Sequence, residues 1–222
     1  MIDNINENEC TGCKLCSDIC PEKAILFKED EYGFWYPKVN SDKCTSCGLC
    51  IEKCPGINPY SSEKYIDPIV YASWLKDTNM RLFSTSGGVY YALAKQVLKA
   101  GGVIVACRFT DDYKGAEHTI VTKIDDLLPT VRSKYFQSDT AQIYKKVIEY
   151  LEKGVNVLFC GTPCQCAAIQ VMADEKYTNL MTMDFICRGN NSPKAYRKFI
   201  YELEERYDSE VESVQFKNKR HG

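Results

Sequence analysis

The strongest constraint on this chain is a run of cysteines that occurs twice within its first 55 residues. The first copy reads Cys10-Thr-Gly-Cys13-Lys-Leu-Cys16-Ser-Asp-Ile-Cys20-Pro21. The second copy reads Cys44-Thr-Ser-Cys47-Gly-Leu-Cys50-Ile-Glu-Lys-Cys54-Pro55. Little apolar sequence surrounds either copy, so a bound metal centre must supply much of the stability of this region.

The spacing C-x2-C-x2-C-x3-C-P is that of bacterial ferredoxins with two 4Fe–4S clusters. In this pattern three cysteines of one run bind one cluster, and the fourth binds the other cluster. The first cluster is therefore predicted to be held by Cys10, Cys13, Cys16 and Cys54, and the second by Cys44, Cys47, Cys50 and Cys20. Structural zinc is the alternative, but its tetrahedral sites usually come from two separated cysteine pairs and fit the repeated run poorly.

Composition and charge argue against several classes of protein. The chain has 13 cysteines and 2 histidines, and an odd number of cysteines argues against a complete set of disulfides. The N-terminus is polar and acidic, which is not typical of a secretory signal, so a cytoplasmic location is predicted. The formal net charge of −2 gives no reason to expect nucleic acid as a partner. No apolar run is long enough to predict a membrane span.

The chain divides where the density of cysteines falls. The stretch from Pro55 to Ser62, rich in proline and glycine, is predicted to be a linker. It separates a two-cluster domain, residues 1–60, from a second domain, residues 61–222. In the first domain, residues 24–27 and 34–39 are predicted to form two short strands around a turn.

The second domain alternates strand and helix patterns, which is typical of an α/β layer with some parallel strands. The fold class is therefore predicted as an α+β ferredoxin-like cluster domain followed by an α/β domain with a mixed, partly parallel sheet. Strands are predicted at residues 69–75, 103–109, 119–123, 155–160, 180–187 and 211–216. Helices are predicted at residues 89–98, 143–151, 165–173 and 193–207. Because no closing element follows the last strand, a truncation at the C-terminus is expected.

Residues 69 onward resemble the beta-subunit family of coenzyme F420 hydrogenases and dehydrogenases. The resemblance rests on stretches at residues 84–89 (STSGGV), 133–138 (SKYFQS) and 157–165 (VLFCGTPCQ), with a looser match at residues 184–193. Members of this family are flavoproteins that pass electrons between iron–sulfur clusters and a hydride carrier, of which deazaflavin is the best known, or a small organic substrate. The resemblance thus implies FAD as a further cofactor.

The flavin site implied by the resemblance comprises Ser84, Ser86, Gly87, Gly88, Lys134, Gly161, Thr162, Pro163, Cys164 and Gln165. The residues support it physically, because serines and glycines before a helix can receive a pyrophosphate. An ordinary capped helix start with a closely packed glycine pair explains residues 84–88 equally well. Likewise, Lys134 is either a flavin contact or a solvated surface lysine.

The remaining cysteines and histidines carry weaker signals. Cys164 is a candidate flavin neighbour, a ligand of a further cluster or a packed thiol, and Cys187 is placed to meet it. Cys107 and Cys160 are predicted to be buried small apolar residues, and Cys166 should face away from Cys164. His118 is predicted to lie at the surface.

Two functions follow from these features. The first is an iron–sulfur flavoprotein oxidoreductase that passes electrons between two 4Fe–4S clusters, FAD and a hydride carrier or small organic substrate. The alternative is a non-catalytic electron-transfer subunit of a larger redox complex, which exchanges electrons with a donor or acceptor protein.

Overall fold

A computed structural model describes residues 1–59 and 67–219. Its α-helices are α1 (Leu15–Ile19), α2 (Leu49–Glu52), α3 (Thr78–Phe83), α4 (Val89–Lys99), α5 (Ile143–Glu152), α6 (Pro163–Ala173) and α7 (Pro193–Tyr207). Its strands are β1 (Ile25–Glu29), β2 (Trp35–Val39), β3 (Val103–Phe109), β4 (Ala116–Val121), β5 (Val157–Cys160) and β6 (Leu180–Met183). Within these ranges, no helix is both long and apolar enough to cross a membrane.

The cysteine runs flank a short hairpin. Strands β1 and β2 pair in antiparallel fashion, with Ile25 opposite Val39. The connecting turn closes through Asp30, whose Oδ1 accepts a hydrogen bond from the Phe34 amide at 2.8 Å. The predicted hairpin is present, with boundaries shifted by one or two residues, and it places α1 and α2 at its two ends.

The second sheet has the order β4-β3-β5-β6. Strand β3 pairs with β4 in antiparallel fashion, whereas β3 with β5, and β5 with β6, pair in parallel. The predicted fold class, with its mixed and partly parallel sheet, is confirmed. Helix α5 connects β4 to β5, α6 connects β5 to β6, and α4 precedes β3, as the alternation in the sequence indicates.

Alternating residues of β3 face two different cores, because side chains in a strand point to opposite faces. Val103 and Val105 pack with α5 and α6, and Ile104 and Ala106 pack with α4 on the other face. The first of these cores also contains Leu15 of α1, which is 1% exposed. The first cysteine run is therefore part of the core of the α/β layer.

Three predictions of secondary structure are wrong. Residues 69–75 and 211–216 form no strand, and the strand predicted over 180–187 ends at Met183. In the first stretch Ile69, Val70 and Tyr71 are exposed, and no described strand pairs with them. Strand-forming residues without a neighbouring strand lack the hydrogen-bonded ladder that stabilises a sheet. Residues 60–62 of the predicted linker lie outside the described residues.

The prediction of a surface position for His118 is also wrong. Its side chain is buried on β4 and stacks on Phe159, with ring centroids 5.5 Å apart. Its Nδ1 lies 3.3 Å from the hydroxyl of Ser138, and burial lowers the pKa of His118 to about 4. His118 is therefore a neutral core residue at physiological pH.

Candidate functional site

The four cysteines predicted to hold the first cluster lie together. The thiol of Cys16 interacts electrostatically with those of Cys13, Cys10 and Cys54, and also with that of Cys50 from the other predicted set. Cys54 comes from the second run, so the chain crosses between the two sites as the spacing predicts. This placement supports the ligand set proposed for the first cluster.

The four cysteines predicted for the second cluster line one cavity of about 210 Å³. The rest of its wall is mostly apolar and includes Ile25, Val39, Leu49 and Ile51. The Ala24 amide donates a hydrogen bond to Cys20 Sγ at 3.4 Å, an interaction that stabilises negative charge on the sulfur. The cavity thus combines thiol ligands, an amide donor and an apolar surround, which suits an iron–sulfur cluster. The cysteines of this cavity are Cys20, Cys44, Cys47 and Cys50.

Burial dominates the chemistry of the thiols at the first site. It raises the pKa of Cys13 to about 12, and it also raises the pKa values of Cys10 and Cys16. The backbone amides of Gly12 and Leu15 oppose this effect through hydrogen bonds to Cys10 and Cys13. Since thiolates are the ligands of iron, the free energy of binding must also drive the loss of these protons.

Among residues 1–59 and 67–219, no group of three or more cysteine, histidine or carboxylate side chains is arranged to hold a single metal ion.

The first run is attached to the α/β layer through its backbone. The carbonyl oxygen of Cys13 accepts hydrogen bonds from Thr140 Oγ1 at 2.7 Å and from Tyr144 Oη at 2.8 Å. Asp18 on α1 is buried and accepts hydrogen bonds from the amides of Gln142 and Tyr144, at 2.8 and 3.1 Å. This carboxylate therefore caps the N-terminus of α5, where free amides need acceptors.

A buried cation lies inside the first run. Lys14 Nζ forms an ion pair with Asp139 Oδ1 at 2.8 Å and lies 3.8 Å from the centroid of the Trp35 ring. The Lys14 side chain is 6% exposed, which is rare for a lysine. Aromatic residues of the hairpin thus form part of the shell around this charge.

Gln137 packs against the loop of the first run. Gly12 has φ +64°, and a Cβ atom added there would lie 1.9 Å from Gln137 Nε2. Gln137 Oε1 accepts a hydrogen bond from the Trp35 amide at 3.3 Å. Glycine at position 12 is required both by the backbone conformation and by this close contact.

The four stretches that carry the family resemblance converge in space. The stretch at residues 133–138 contacts the other three: the Ser133 amide donates to Thr85 Oγ1 at 3.1 Å, and Ser138 Oγ accepts from Gln165 Nε2 at 3.0 Å. Its Gln137 amide donates to the Asn191 carbonyl at 3.2 Å. Residues far apart in the sequence thus form one site.

Ser84, Ser86, Gly87 and Gly88 are closely packed. Ser84 Oγ donates to the Met80 carbonyl at 2.8 Å, at the end of α3, and does not cap α4. The Ser86 carbonyl accepts a hydrogen bond from Lys219 Nζ at 2.7 Å. A Cβ atom on Gly87 would lie 2.7 Å from the Ser73 carbonyl oxygen, and one on Gly88 would lie 2.5 Å from Leu75 Cδ1. These contacts match the packed glycine pair that the sequence left open.

The ammonium group of Lys134 is hydrogen-bonded to backbone carbonyls. Its Nζ donates to the carbonyls of Pro129, Val131 and Arg132 at 3.0, 3.2 and 3.1 Å. These contacts use all three of its N–H donors. Burial lowers the pKa of Lys134 to about 8. A phosphate contact would require this side chain to release at least one carbonyl.

The stretch from Gly161 to Gln165 forms the start of α6. Thr162 and Gln165 make a capping box, in which Gln165 Oε1 accepts from the Thr162 amide at 2.9 Å. Pro163 occupies the first helical turn, and a Cβ on Gly161 would lie 2.9 Å from Gln165 Oε1. Cys164 Sγ lies 3.1 Å from Thr162 Oγ1. Cys166 is buried, two residues beyond Cys164.

A second cavity, of about 420 Å³, lies between residues 10–12 of the first run and the start of α6. Cys10 and Trp35 line one side of it, and Cys164, Cys187 and Gln137 also contribute to its wall. Cys164 interacts electrostatically with Cys10 and Cys13. Of the residues predicted for a flavin, only Pro163 and Cys164 line this cavity.

The sequence interpretation missed Lys14, Asp18, Gln137 and Thr140. One signal was available for Lys14, because the equivalent residue of the second run is Gly48. Asp18 and Thr140 carry no local signal, since their partners lie more than 120 residues away along the chain.

Comparison with known proteins agrees with the order of these parts. The 4Fe–4S dicluster domain family matches residues 9–56. The family described as the C terminus of the coenzyme F420 hydrogenase/dehydrogenase beta subunit matches residues 154–221. Comparison with curated proteins gave no significant match.

Among solved structures, the chain is similar to a subunit of the xenon-derivatised F420-reducing nickel–iron hydrogenase complex from Methanosarcina barkeri. The identity is 17% and the TM-score is 0.49, and the match covers 61% of this chain and 50% of that one. The chain thus spans about half the length of the matched subunit.

Proposed function

We propose that this chain is an electron-transfer subunit. It belongs to the coenzyme F420 hydrogenase/dehydrogenase beta-subunit family and carries an N-terminal 4Fe–4S dicluster domain. Electrons would pass between a partner protein at the second cluster and an acceptor at the cavity beside the first. The observation that carries this proposal is the unequal attachment of the two runs. The first is held by Thr140, Tyr144 and Asp18, whereas Cys47 of the second is exposed.

The surface around the second run suits a partner protein. Met1 and Ile51, which line the same cavity as the exposed Cys47, are 53% and 38% exposed. Apolar side chains at a surface commonly mark a contact with another protein. A partner seated there would exclude water from the second cluster and bring its own cofactor close. A larger redox complex is therefore the proposed setting of this chain.

The cavity next to the first run suits an acceptor that would exchange electrons with the first cluster. It is bounded by Cys10, a proposed ligand of the first cluster, and by Cys164 at the start of α6. When bound, each cluster supplies the storage of one electron. The residues of the chain contribute position and environment: Gln137 packs against the loop at Gly12, and Trp35 forms part of the cavity wall.

A flavin is the second candidate for this chain. Its specific support is the convergence of residues 84–88, 133–138 and 161–165 beside the first run. With FAD bound, the chain would be an oxidoreductase that joins one-electron and two-electron chemistry, with a deazaflavin or a small organic substrate as hydride carrier. The packed glycines and the committed Lys134 mean that residues 73–75 and the Lys134 side chain would have to move.

The two functions are separated by cofactor analysis of the full chain purified without oxygen. The electron-transfer proposal expects about eight irons and about eight sulfides per chain, from two four-iron clusters, with no bound flavin. Stoichiometric FAD that stays bound through gel filtration would favour the flavoprotein. Zinc without sulfide would overturn both.

Two surface variants test whether electrons from a partner protein enter at the second run. Ile51→Asp changes the apolar surface around the second run. It should slow reduction of the clusters by a protein donor recovered with the native complex, because it places a charge where the donor is proposed to bind. Leu128→Asp, at an exposed apolar residue in the α/β layer, is the matched control. Equal rates for the wild type and both variants would contradict entry at the second run.

A further inference from the structure

The two cysteine runs differ at one position in a way that the packing does not require. Lys14 and Gly48 are equivalent residues, each between the second and third cysteine of its run. Both have a left-handed backbone, with φ +64° and φ +80°. Glycine adopts this conformation without steric cost, whereas any other residue pays roughly 1 kcal/mol or more. The first run therefore carries a lysine where glycine is the favoured residue.

The lysine charge is held in a fixed place. Its Nζ is fixed by Asp139 at 2.8 Å and by the ring of Trp35 at 3.8 Å, and the Phe27 centroid lies 5.6 Å away. Ion pairing and two aromatic faces stabilise a desolvated ammonium. Its backbone belongs to the loop that joins Cys13 to Cys16, and Trp35, which its ammonium contacts, lines one cavity together with Cys10.

The ion pair does not cancel this charge. The Lys14 side chain is 6% exposed and the Asp139 side chain is 44% exposed, so water screens the carboxylate more strongly than the ammonium. The second run has no equivalent cation, because Gly48 has no side chain and nothing described lies within 4 Å of where its Cβ would be.

We propose that Lys14 is a tuning residue whose buried ammonium raises the reduction potential of the first cluster above that of the second. Reduction adds one negative charge to the cluster, and a nearby cation in a medium of low polarity stabilises that charge. An electron that enters at the second run then comes to rest on the first cluster, beside the cavity. The inference rests on the ligand sets of the proposed function.

The test is a redox titration of the full chain, followed by electron paramagnetic resonance, on the wild type and four variants. Lys14→Met removes the charge and keeps an unbranched side chain, and Lys14→Gly reproduces the second run without backbone strain. Lys14→Arg keeps the charge. Asp139→Asn removes the opposing carboxylate. Lys43→Met is the control, because Lys43 is an exposed lysine next to Cys44.

The expected shifts have opposite signs. Lys14→Met and Lys14→Gly should move the potential of the first cluster to more negative values, and Asp139→Asn should move it to more positive values. Lys14→Arg and Lys43→Met should leave both potentials close to those of the wild type. The second cluster serves as an internal reference and should not move in any variant.

Three results would overturn the inference: unchanged potentials in Lys14→Met and Lys14→Gly, equal shifts of both clusters, or shifts of the same sign in Lys14→Met and Asp139→Asn. A purely structural role would lower the iron content without this reversal of sign. Wild-type protein that lacks iron and sulfide would refute the cluster assignment itself, which is a separate failure.

Discussion

In the first cysteine run, Leu15 and Asp18 are buried among residues of the α/β layer, whereas their counterparts in the second run, Leu49 and Glu52, are half-buried and exposed. The cysteine spacing of the two runs is the same. The difference lies in the residues between the cysteines, which in the first run hold the loop against α5 and α6. One ligand pattern can therefore serve two purposes, a fixed internal site and a site open to a partner.

The equivalent leucines give the largest expected contrast. Leu15→Ala should lower the free energy of unfolding by about 3 kcal/mol, because it leaves a cavity in the core of the α/β layer. Leu49→Ala should cost less than about 1.5 kcal/mol, since its side chain is only partly buried. Urea midpoints of the anaerobic protein would measure both. Equal losses would break the comparison between the runs.

As the pH falls, the first run should also lose stability before the second run does. Burial lowers the pKa of His118 to about 4 in the folded chain, from an ordinary value near 6.5. Between pH 6.5 and pH 4 the unfolded chain therefore binds a proton at His118 more readily than the folded chain does. Stability should thus be full above about pH 6.5 and decline toward pH 4, by up to about 3 kcal/mol from this group. The His118 amide donates to the Asp139 carbonyl, so the loss reaches the segment that holds Lys14.

The measurement is the pH dependence of the urea midpoint for the wild type and His118→Gln, together with the absorbance of the clusters. The variant should lose part of the slope between pH 6.5 and 4. Identical slopes in the two proteins would show that His118 titrates normally.

The acidic pair gives the next contrast. Asp18→Ala should destabilise the chain by about 2 kcal/mol, because the amides of Gln142 and Tyr144 lose their acceptor at a buried helix start. Glu52→Ala, at the exposed equivalent residue, should change stability by less than about 0.5 kcal/mol. Thermal unfolding under nitrogen compares the two. A large effect of Glu52→Ala would mean that the second run is also tied to a buried partner.

The smallest effect concerns the carbonyl of Cys13. Thr140→Val and Tyr144→Phe should each cost about 1 kcal/mol, because either hydroxyl can still satisfy the oxygen when the other is absent. The double variant leaves this carbonyl without a donor, and its loss should exceed the sum of the single losses. A double-mutant cycle in urea tests this coupling, and strict additivity would contradict a shared acceptor.

The sequence predicted the parts of the molecule that depend on local pattern. The repeated spacing predicted the 4Fe–4S dicluster domain that the family comparison matches, and the alternation of apolar stretches predicted the mixed sheet. Residues 69–75 have the composition of a strand, yet they form none, because pairing depends on a neighbour that local pattern does not reveal.

The candidate site was less predictable for the same reason. The stretches at residues 84–88 and 161–165 were recognisable, but the contacts that fill them come from Ser73, Leu75 and Ser138. Polar residues that join distant segments, such as Asp18 and Gln137, have no periodicity and look like ordinary surface residues in the sequence. Only the tertiary structure shows that they fix the first run in place.

The chain is proposed to bind two clusters, one attached to the α/β layer and one beside exposed residues of the second run. Microwave power saturation of the two reduced clusters, with a soluble paramagnetic ion added to the full chain, compares how accessible they are. Cys54→Ser and Cys20→Ser would assign the signals, since they remove a proposed ligand from the first and second cluster respectively. The added ion should speed the relaxation of the second cluster much more than that of the first. Equal effects on both signals, or a single cluster per chain, would contradict it.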